Sequence, residues 1–379
     1  MPSPQNPPGV YIEEQSTGSR AIAGVTTSVA AFIGATQSGP INQPVQVRSF
    51  SEFEQQFGEL SAALETGYAV LQYFLNGGDE AWVVRVAQDP DTQQLQAGLQ
   101  ALDTVDLFNL LVVPGVTMSA AVALAADYCQ ARRAFLIVDA PVEAKTPEQI
   151  EQAVRDLTLA SKSSAAIYYP WIRMADPLDD SQPRLSAPSG TIAGLIARTD
   201  ASHGVWKAPT GTEANLKGVV SLERNLTDVE NGRLNPHAIN CLRSFPTYGL
   251  VAWGARTLAG DDQNASEWKY INVRRLALFL EQSIDRGIQW TVFEPNDEQL
   301  WAQLRLNVGA FLQNLFRAGA FQGSTPRDAY FVRCDSTTTT QNDIDAGVVN
   351  VIIGFAPLKP AEFVVITLRQ LAGQTPPPN

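Results

Sequence analysis

The sequence predicts a mixed α/β and α+β fold, and three observations carry that prediction. Between about Leu102 and Ser221, continuous apolar strands alternate with helical segments, which is the pattern of a mostly parallel sheet covered on both faces. The last third holds two long helical patterns followed by strands instead of further alternation. Short strand patterns stand at both ends of the chain, and a lone terminal strand needs a sheet to join, in its own domain or in a neighbouring molecule. With 379 residues, 45% of them hydrophobic, the chain has room for about two or three domains with real cores.

The opening residues are Pro, Ser, Gln and Asn, which bury no core, so an arm is expected there. In PGVYIEE, Val10 and Ile12 alternate with Tyr11 and Glu13, and Gly18 and Ser19 separate this strand from the first core segment. Val25 to Ala35 reads as a core strand, and Ser51 to Phe57 starts a short helix after the Arg48-Ser49-Phe50 turn. Thr66 to Leu75 forms a helix with Tyr68, Leu71, Phe74 and Leu75 turned inward, and it stops at Gly77-Gly78. Ala81 to Ala87 is a buried strand.

An inserted α/β unit follows: strand Phe108 to Gly115, helix Ser119 to Arg132, strand Ala134 to Pro141, a helix capped by Thr146, and strand Ser164 to Ile172. Pro147 in the first turn and Gln149 at the capping-box position mark the start of that second helix. In the last third, one helix spans about Ser266 to Arg286 with Asn264 and Glu267 placed for a capping box, and it ends at Gly287. The next spans about Asp297 to Ala318, with Leu300, Trp301, Leu304, Val308, Phe311, Leu312 and Leu315 in one apolar stripe. Gln299, Gln303, Asn307 and Asn314 are left for its other faces, where they meet either a partner or water. DAYFVRCD, VVNVIIGFAP and PAEFVVITLRQ are the closing strands, and Pro357 and Pro360 around Lys359 make a stiff elbow before the last of them.

Charged residues are 17% of the chain, below the roughly 25% of an average soluble protein, and the net charge is -12. A surface poor in charge suits burial against further copies, and the acidity with no Lys/Arg cluster argues against a nucleic-acid partner. Cys129, Cys241 and Cys334 are too scattered for a disulfide framework or a zinc site and read as small buried apolar residues. The N-terminus lacks a basic and apolar leader pattern, and no long apolar run occurs, so cytoplasmic synthesis without a membrane span is expected.

No catalytic motif emerges: there is no G-x-S-x-G, no phosphate loop, no G-x-G-x-x-G after a strand and no H-E-x-x-H. His203 and His237 lack nucleophile partners at a familiar spacing, and His203 sits in a loop. Asp343 and Asp345 alternate as a calcium loop begins, but the other ligands are missing and a solvated turn is expected. Asp139 ends an apolar strand where enzymes often keep an acid, yet with no glycine-rich loop it is expected to cap a turn. No catalytic residue, cofactor or metal is assigned.

The segments PGVYIEE (Pro8 to Glu14), VTTSVAAFIG, SFSEFEQQFG, APSGTIAGLIARTDASHGVWKAP, LNPHAINCLRSFPTYGLVAWGARTL, WKYINVRRLALFLEQSI, QWTVFEPND and GFAPLKPAEFVVITL come in an order that resembles the tail sheath family of contractile phages, R-type pyocins and extracellular contractile injection systems. The resemblance covers nearly the whole chain and rests on long, non-catalytic phrases. It implies an inner domain made of residues 21–100 and 254–357, an outer α/β insertion at 101–253, an N-terminal arm at 1–20 and a C-terminal arm and tail at 358–379.

By the same resemblance, Val10, Tyr11, Ile12 and Glu13, and Glu362, Phe363, Val364, Val365, Ile366, Thr367 and Leu368, are arm strands that enter neighbouring subunits. The accepting sheet would contain Tyr330, Phe331, Val332, Val351, Ile352 and Ile353, and the helix bearing Gln299, Gln303, Asn307, Asn314 and Arg317 would face an inner tube. The implied function is a non-enzymatic subunit that polymerises helically around that tube and contracts to drive it through a target envelope. Its partners would be further copies, the tube protein, and baseplate and terminator or cap proteins. Room for only one inserted domain favours a compact pyocin-like or injection-system type. No extra N-terminal helix for an unfoldase is visible. A baseplate or cap protein of the same fold, and an α/β enzyme with an unrecognised site, are the competing readings. Assembly is expected in the cytoplasm, with the finished particle staying there, anchored to a membrane or released.

Overall fold

The computed structural model describes residues 21–362 apart from Asp89, so Val10 to Glu13 and Phe363 to Leu368 lie outside the described residues. The first elements are β1 (Ala30–Ala35), β2 (Pro44–Val47), α1 (Phe50–Phe57), α2 (Glu65–Asn76), β3 (Ala81–Val86) and α3 (Thr92–Leu102). Ser49 and Asp91 accept the free N–H groups at the starts of α1 and α3, and α2 stops at Gly77, whose φ of 119° an L side chain resists. The Val25 to Ala35 strand is thus shorter than expected. Val25 and Val29 give their N–H groups to the side chains of Ser283 and Asn109 instead of to a ladder.

The alternation continues with β4 (Leu110–Val112), α4 (Ser119–Arg132), β5 (Phe135–Asp139), α5 (Pro147–Asp156) and β6 (Ala165–Tyr169), and the Thr146 capping box forms as expected. The expected strand to Ile172 breaks at Pro170, which has no N–H to continue the ladder. Beyond it, β7 (Ile172–Asp176) and β8 (Asp179–Ser186) begin a small separate sheet, which β9 (Val219–Leu222) completes in the order β8-β7-β9 after α6 (Ser189–His203). Next come α7 (Asp228–Leu234), β10 (Ile239–Phe245) and β11 (Gly249–Ala252).

One eight-stranded sheet, ordered β11-β10-β6-β5-β4-β1-β3-β2, organises the molecule. Its inner pairs are parallel, and only β11 and β2 run antiparallel, at the two edges. α3, α4, α5 and α7 cover one face through Leu95, Leu99, Val122, Ala125, Cys129, Ile150 and Leu234. α1, α2 and α6 cover the other through Phe53, Phe57, Val70, Tyr73, Ile192 and Ile196. Because β1 lies between β3 and β4, the sheet runs straight across the expected boundary at residues 100 and 101. The 21–100 and 101–253 segments therefore share a core: a strand buried on both faces needs neighbours on both edges, and β1 draws them from both segments.

α2 and α6 cross unusually closely, and glycine is the reason. A Cβ on Gly190 would sit 2.6 Å from Ala69 Cα and 2.7 Å from its carbonyl carbon, and one on Gly194 would sit 2.7 Å from Asn76 Cβ. This contact fixes the rotation of α2, so that Tyr68 and Tyr73 are buried while Leu75 points out, against expectation, at 46% exposure.

The remaining elements form a second layer: α8 (Ile271–Gly287), α9 (Glu298–Arg317), α10 (Pro326–Ala329), β12 (Tyr330–Arg333), α11 (Gln341–Asp345) and β13 (Ile352–Phe355). α8 does not start at a box built on Asn264 and Glu267. Arg256 and Tyr270 form a bridge, and Thr257 binds the carbonyls of Trp268 and Lys269, so the chain stays extended until Tyr270. α8 is buried on two sides: Ile271 and Leu278 meet the sheet layer, while Leu276, Phe279, Leu280 and Ile284 meet Val308, Phe311 and Leu312 of α9. A buried ion pair at 2.6 Å joins Arg275 of α8 to Asp200 of α6, and Arg275 also binds the Thr27 carbonyl.

Candidate functional site

The residues that a catalytic reading would need are used otherwise. Asp139 ends β5 beside a cavity of about 220 Å³. Its carboxylate accepts the N–H of Gly115 at 3.0 Å and the N–H and hydroxyl of Ser189 at 2.8 and 2.7 Å. Burial pushes its pKa up to about 6 against the pull of those three bonds. It caps the start of α6, fifty positions along the chain, and ties it to the loop after β4. His203 is the last residue of α6, not part of the loop expected for it; it lies at the surface with Ser202 at 2.8 Å and Glu213 at 3.9 Å, and His237 lies 3.8 Å from Asp261. Asp343 completes a capping box with Thr340 at the start of α11. The three cysteines are buried and free, and burial raises each thiol pKa. Among the described residues no group of three or more His, Cys, Asp or Glu is gathered to hold a metal, and no helix is long and apolar enough to cross a membrane.

Two exposed features of the second layer stand out. α9 begins at the Asp297 cap and buries Leu300, Trp301, Leu304, Val308, Phe311 and Leu312. Gln299, Gln303, Asn314 and Arg317 are exposed, but Asn307 is buried at 7% exposure and leaves the outer face. Its place in mid-face is taken by Leu306, 64% exposed, between Ala302 and Ala310, so the outward side is apolar in the middle and polar at its ends. The second feature is the β12–β13 pair, in the register Tyr330↔Phe355, Phe331↔Gly354, Val332↔Ile353 and Arg333↔Ile352. Tyr330, Val332, Ile353 and Phe355 pack on the α8–α9 core, whereas Phe331 and Ile352 stand 47% and 49% exposed on the other side. Val351 precedes β13 and packs near Leu300 and Trp301. Among the described residues this sheet has two strands, and a two-stranded sheet is marginal alone because each strand keeps an unpaired edge.

The chain then runs back to the first layer. Phe321 and Pro357 form a bridge, Gln322 donates to the Ala356 carbonyl, and Asn272 donates to the Leu358 carbonyl. Glu362 grips the guanidinium of Arg256 with both oxygens, at 2.7 and 2.6 Å, although Arg256 is only 1% exposed. A groove of about 720 Å³ opens alongside, walled by Trp206, Trp253, Ala255, Leu358 and Pro360. Sequence reasoning assigned Glu362 to the C-terminal arm strand and missed Arg256, because 106 positions separate the pair. The close α2–α6 crossing did leave a signal, the Gly190 and Gly194 spacing of four in SGTIAG.

Comparison with known proteins bears on both layers. Residues 88–258 match the family described as the phage tail sheath protein central domain, and residues 263–370 match the phage tail sheath C-terminal domain. A prophage major tail sheath protein of Pseudomonas aeruginosa is 27% identical over 93% of this chain and 94% of its own length. The tail sheath protein of Vibrio phage KVP40 is 31% identical over 49% of this chain, and that match spans only 26% of the phage protein. Among solved structures, the sheath of the PVC extracellular contractile injection system in its contracted state is 29% identical with a TM-score of 0.81, over 98% of this chain and 99% of that one. The anti-feeding prophage sheath in its contracted state is 30% identical with a TM-score of 0.80, over 96% and 99%.

Proposed function

The chain belongs to the phage tail sheath family, and on that premise we propose that it is the sheath subunit of a contractile tail-like particle, polymerising helically around an inner tube and shortening to drive it. The observation that carries this reading is the likeness to contracted sheath chains over nearly the full length of both partners. The subunit makes or breaks no covalent bond in this role. Its work comes from exchanging one packing of many copies for another, with the extended form kinetically trapped on the tube.

In this proposal Val10 to Glu13 of one copy and Phe363 to Leu368 of another add to the edges of β12 and β13. The two-stranded sheet supports that role, having one face already packed and Phe331 and Ile352 exposed on the other. An added strand makes about four to six backbone hydrogen bonds of roughly 0.5 to 1.5 kcal/mol net each, enough to hold copies together while rigid bodies slide. Gln299, Gln303, Leu306, Asn314 and Arg317 of α9 would face the tube. Residues 254–357 would form the inner layer, and the sheet layer, including 101–253, would lie outside. Tube, baseplate and cap proteins are the proposed partners, and assembly is proposed to occur in the cytoplasm.

Electron microscopy of the purified subunit with its tube protein tests the proposal. Stacked helical sleeves are expected, and removal of Met1 to Ser16 should leave a folded subunit that no longer stacks. Single rings would favour a baseplate role, and a protein that stays monomeric at high concentration would overturn the proposal.

A further inference from the structure

The segment before the C-terminal arm is wired into the large parallel sheet by a chain of buried polar groups. Glu362 holds the Nε and Nη2 atoms of Arg256, while Nη1 donates to the Gly260 carbonyl and meets Asp262 at 2.9 Å. Lys269 lies 2.6 Å from Asp262 and 3.9 Å from Glu362, closing a network of two cations and two carboxylates. Burial raises the Glu362 carboxyl, but the Arg256 hydrogen bonds and the charges of Arg256 and Lys269 outweigh it and hold its pKa below the usual carboxylate range.

The backbone of Arg256 is pinned in turn. Its N–H donates to Asn240 Oδ1 at 2.7 Å, and Asn240 Nδ2 donates to the carbonyls of Arg256 and of Ile167. Asn240 is fully buried in β10 and Ile167 lies in β6, side by side within the sheet. A Cβ on Gly254 would sit 2.8 Å from Asn240 Cα, so only glycine lets the Arg256 segment approach so closely.

We infer that Glu362 is the anchor of the C-terminal arm, and that pull on the arm enters the rigid sheet through Glu362, Arg256 and Asn240 instead of through the thin β12–β13 pair. The inference rests on the sheath reading for the source of the pull, but the anchor is a property of the single subunit. A bidentate pair between a buried guanidinium and a carboxylate suits such a joint. It is directional, and breaking it strands a charge with 1% exposure.

The test compares Glu362→Gln, Arg256→Lys and, as control, Lys359→Gln, an exposed neighbour outside the network. Amide hydrogen exchange over residues 356–362 is measured in the unassembled subunit, and sleeve yield and length are measured with the tube protein. Glu362→Gln is expected to speed exchange there at least tenfold and to cut sleeve yield at least tenfold at matched concentration; the melting temperature falls, less than for a full loss of charge partners because Asp262 stays 2.9 Å from Arg256, and yield is compared well below it. Lys359→Gln should change neither. Arg256→Lys keeps the charge but loses the fork, and should behave as Glu362→Gln does if it folds. Unchanged exchange in Glu362→Gln overturns the anchor, and faster exchange with normal sleeves overturns the claim that pull passes through it. If the wild type itself forms no sleeves, the sheath reading and the claim that pull passes through Glu362 fail together, and exchange alone decides the anchor.

Discussion

Replacing Gly190 by Ala should separate α2 from α6, and the size of the effect can be worked from the contact. The added carbon would lie 2.6 Å from Ala69 Cα and 2.7 Å from Ala69 C, with the Ala69 carbonyl oxygen nearer still. Ordinary carbon contacts need about 3.5 Å or more, and all three obstacles are backbone, so no rotamer change relieves them. α2 must move outward by the better part of an ångström. It carries Val70 and Tyr73 of the core beneath it, so the shift loosens packing along a whole helix. Overpacking of this kind costs about 1–3 kcal/mol, and the upper end is expected because the neighbour is rigid. Gly309 supplies the internal control: it also sits within a helix, α9, but a Cβ there meets nothing within 4 Å. Gly309→Ala should stabilise the subunit by about 0.5–1 kcal/mol through helix propensity alone. Urea unfolding of the two variants beside the wild type reads both effects. A Gly190→Ala midpoint within error of the wild type would refute the claim that backbone contact sets the α2–α6 spacing.

Other expectations concern charge and surface. Asp200→Ala leaves the Arg275 guanidinium buried at about 4% exposure without its carboxylate, and should cost about 3–5 kcal/mol in urea unfolding; a loss below 1 kcal/mol would mean that the α8–α6 junction relaxes around the charge. Asp139, with its pKa raised from 3.8 to about 6, keeps its proton in the native state over a range where the unfolded chain has lost it. Its contribution is therefore full below pH 3.8 and is lost as the pH rises through 6, at up to about 1.4 kcal/mol per pH unit. Subtracting the stability–pH curve of Asp139→Asn from that of the wild type should isolate this slope, opposite in sign to that of Glu230, whose pKa is lowered to about 2 by the Thr227 N–H and the Arg224 and Thr227 side chains; parallel curves would refute it. Phe331→Lys should leave subunit melting almost unchanged, since the side chain is half exposed, yet reduce sleeve formation in sedimentation; normal sleeves would exclude the outer face of β12 from assembly.

What was legible in the sequence follows how local its cause is. The Thr146 box, the Gly77 stop, the start of α9 near Asp297 and the α9 stripe are set by residues a few positions apart, and all stand as expected. The sheet order was not legible, because β1 pairs with β3 and β4 across 51 and 80 positions and nothing within β1 names its partners. The start of α8 failed for a related reason: Asn264 and Glu267 had the right spacing, but a bridge from Arg256 to Tyr270 outweighed one cap. Asn307 shows the limit of polarity as a guide, since an amide on a helix can turn inward while Leu306 beside it turns out. The candidate surface was assigned from the resemblance alone, since no local pattern in β12, β13 or α9 names what would cover them. The Glu362–Arg256 joint was not, because it is a contact between distant segments.

The two layers differ in how they are held, and this bears on where a packing change could occur. Strands β1, β4, β5 and β6 are buried on both faces, so moving one against another would expose apolar area and break ladder bonds together. β12 and β13 have one covered face and two strands, so their edges can take or lose a partner while the sheet layer keeps its core. Between the layers stand α8, the Arg275–Asp200 pair and the Glu362–Arg256 joint, and in each a second-layer residue grips a first-layer one. Under the proposed sheath role, such a subunit would move as a rigid body and concentrate change at its strand edges.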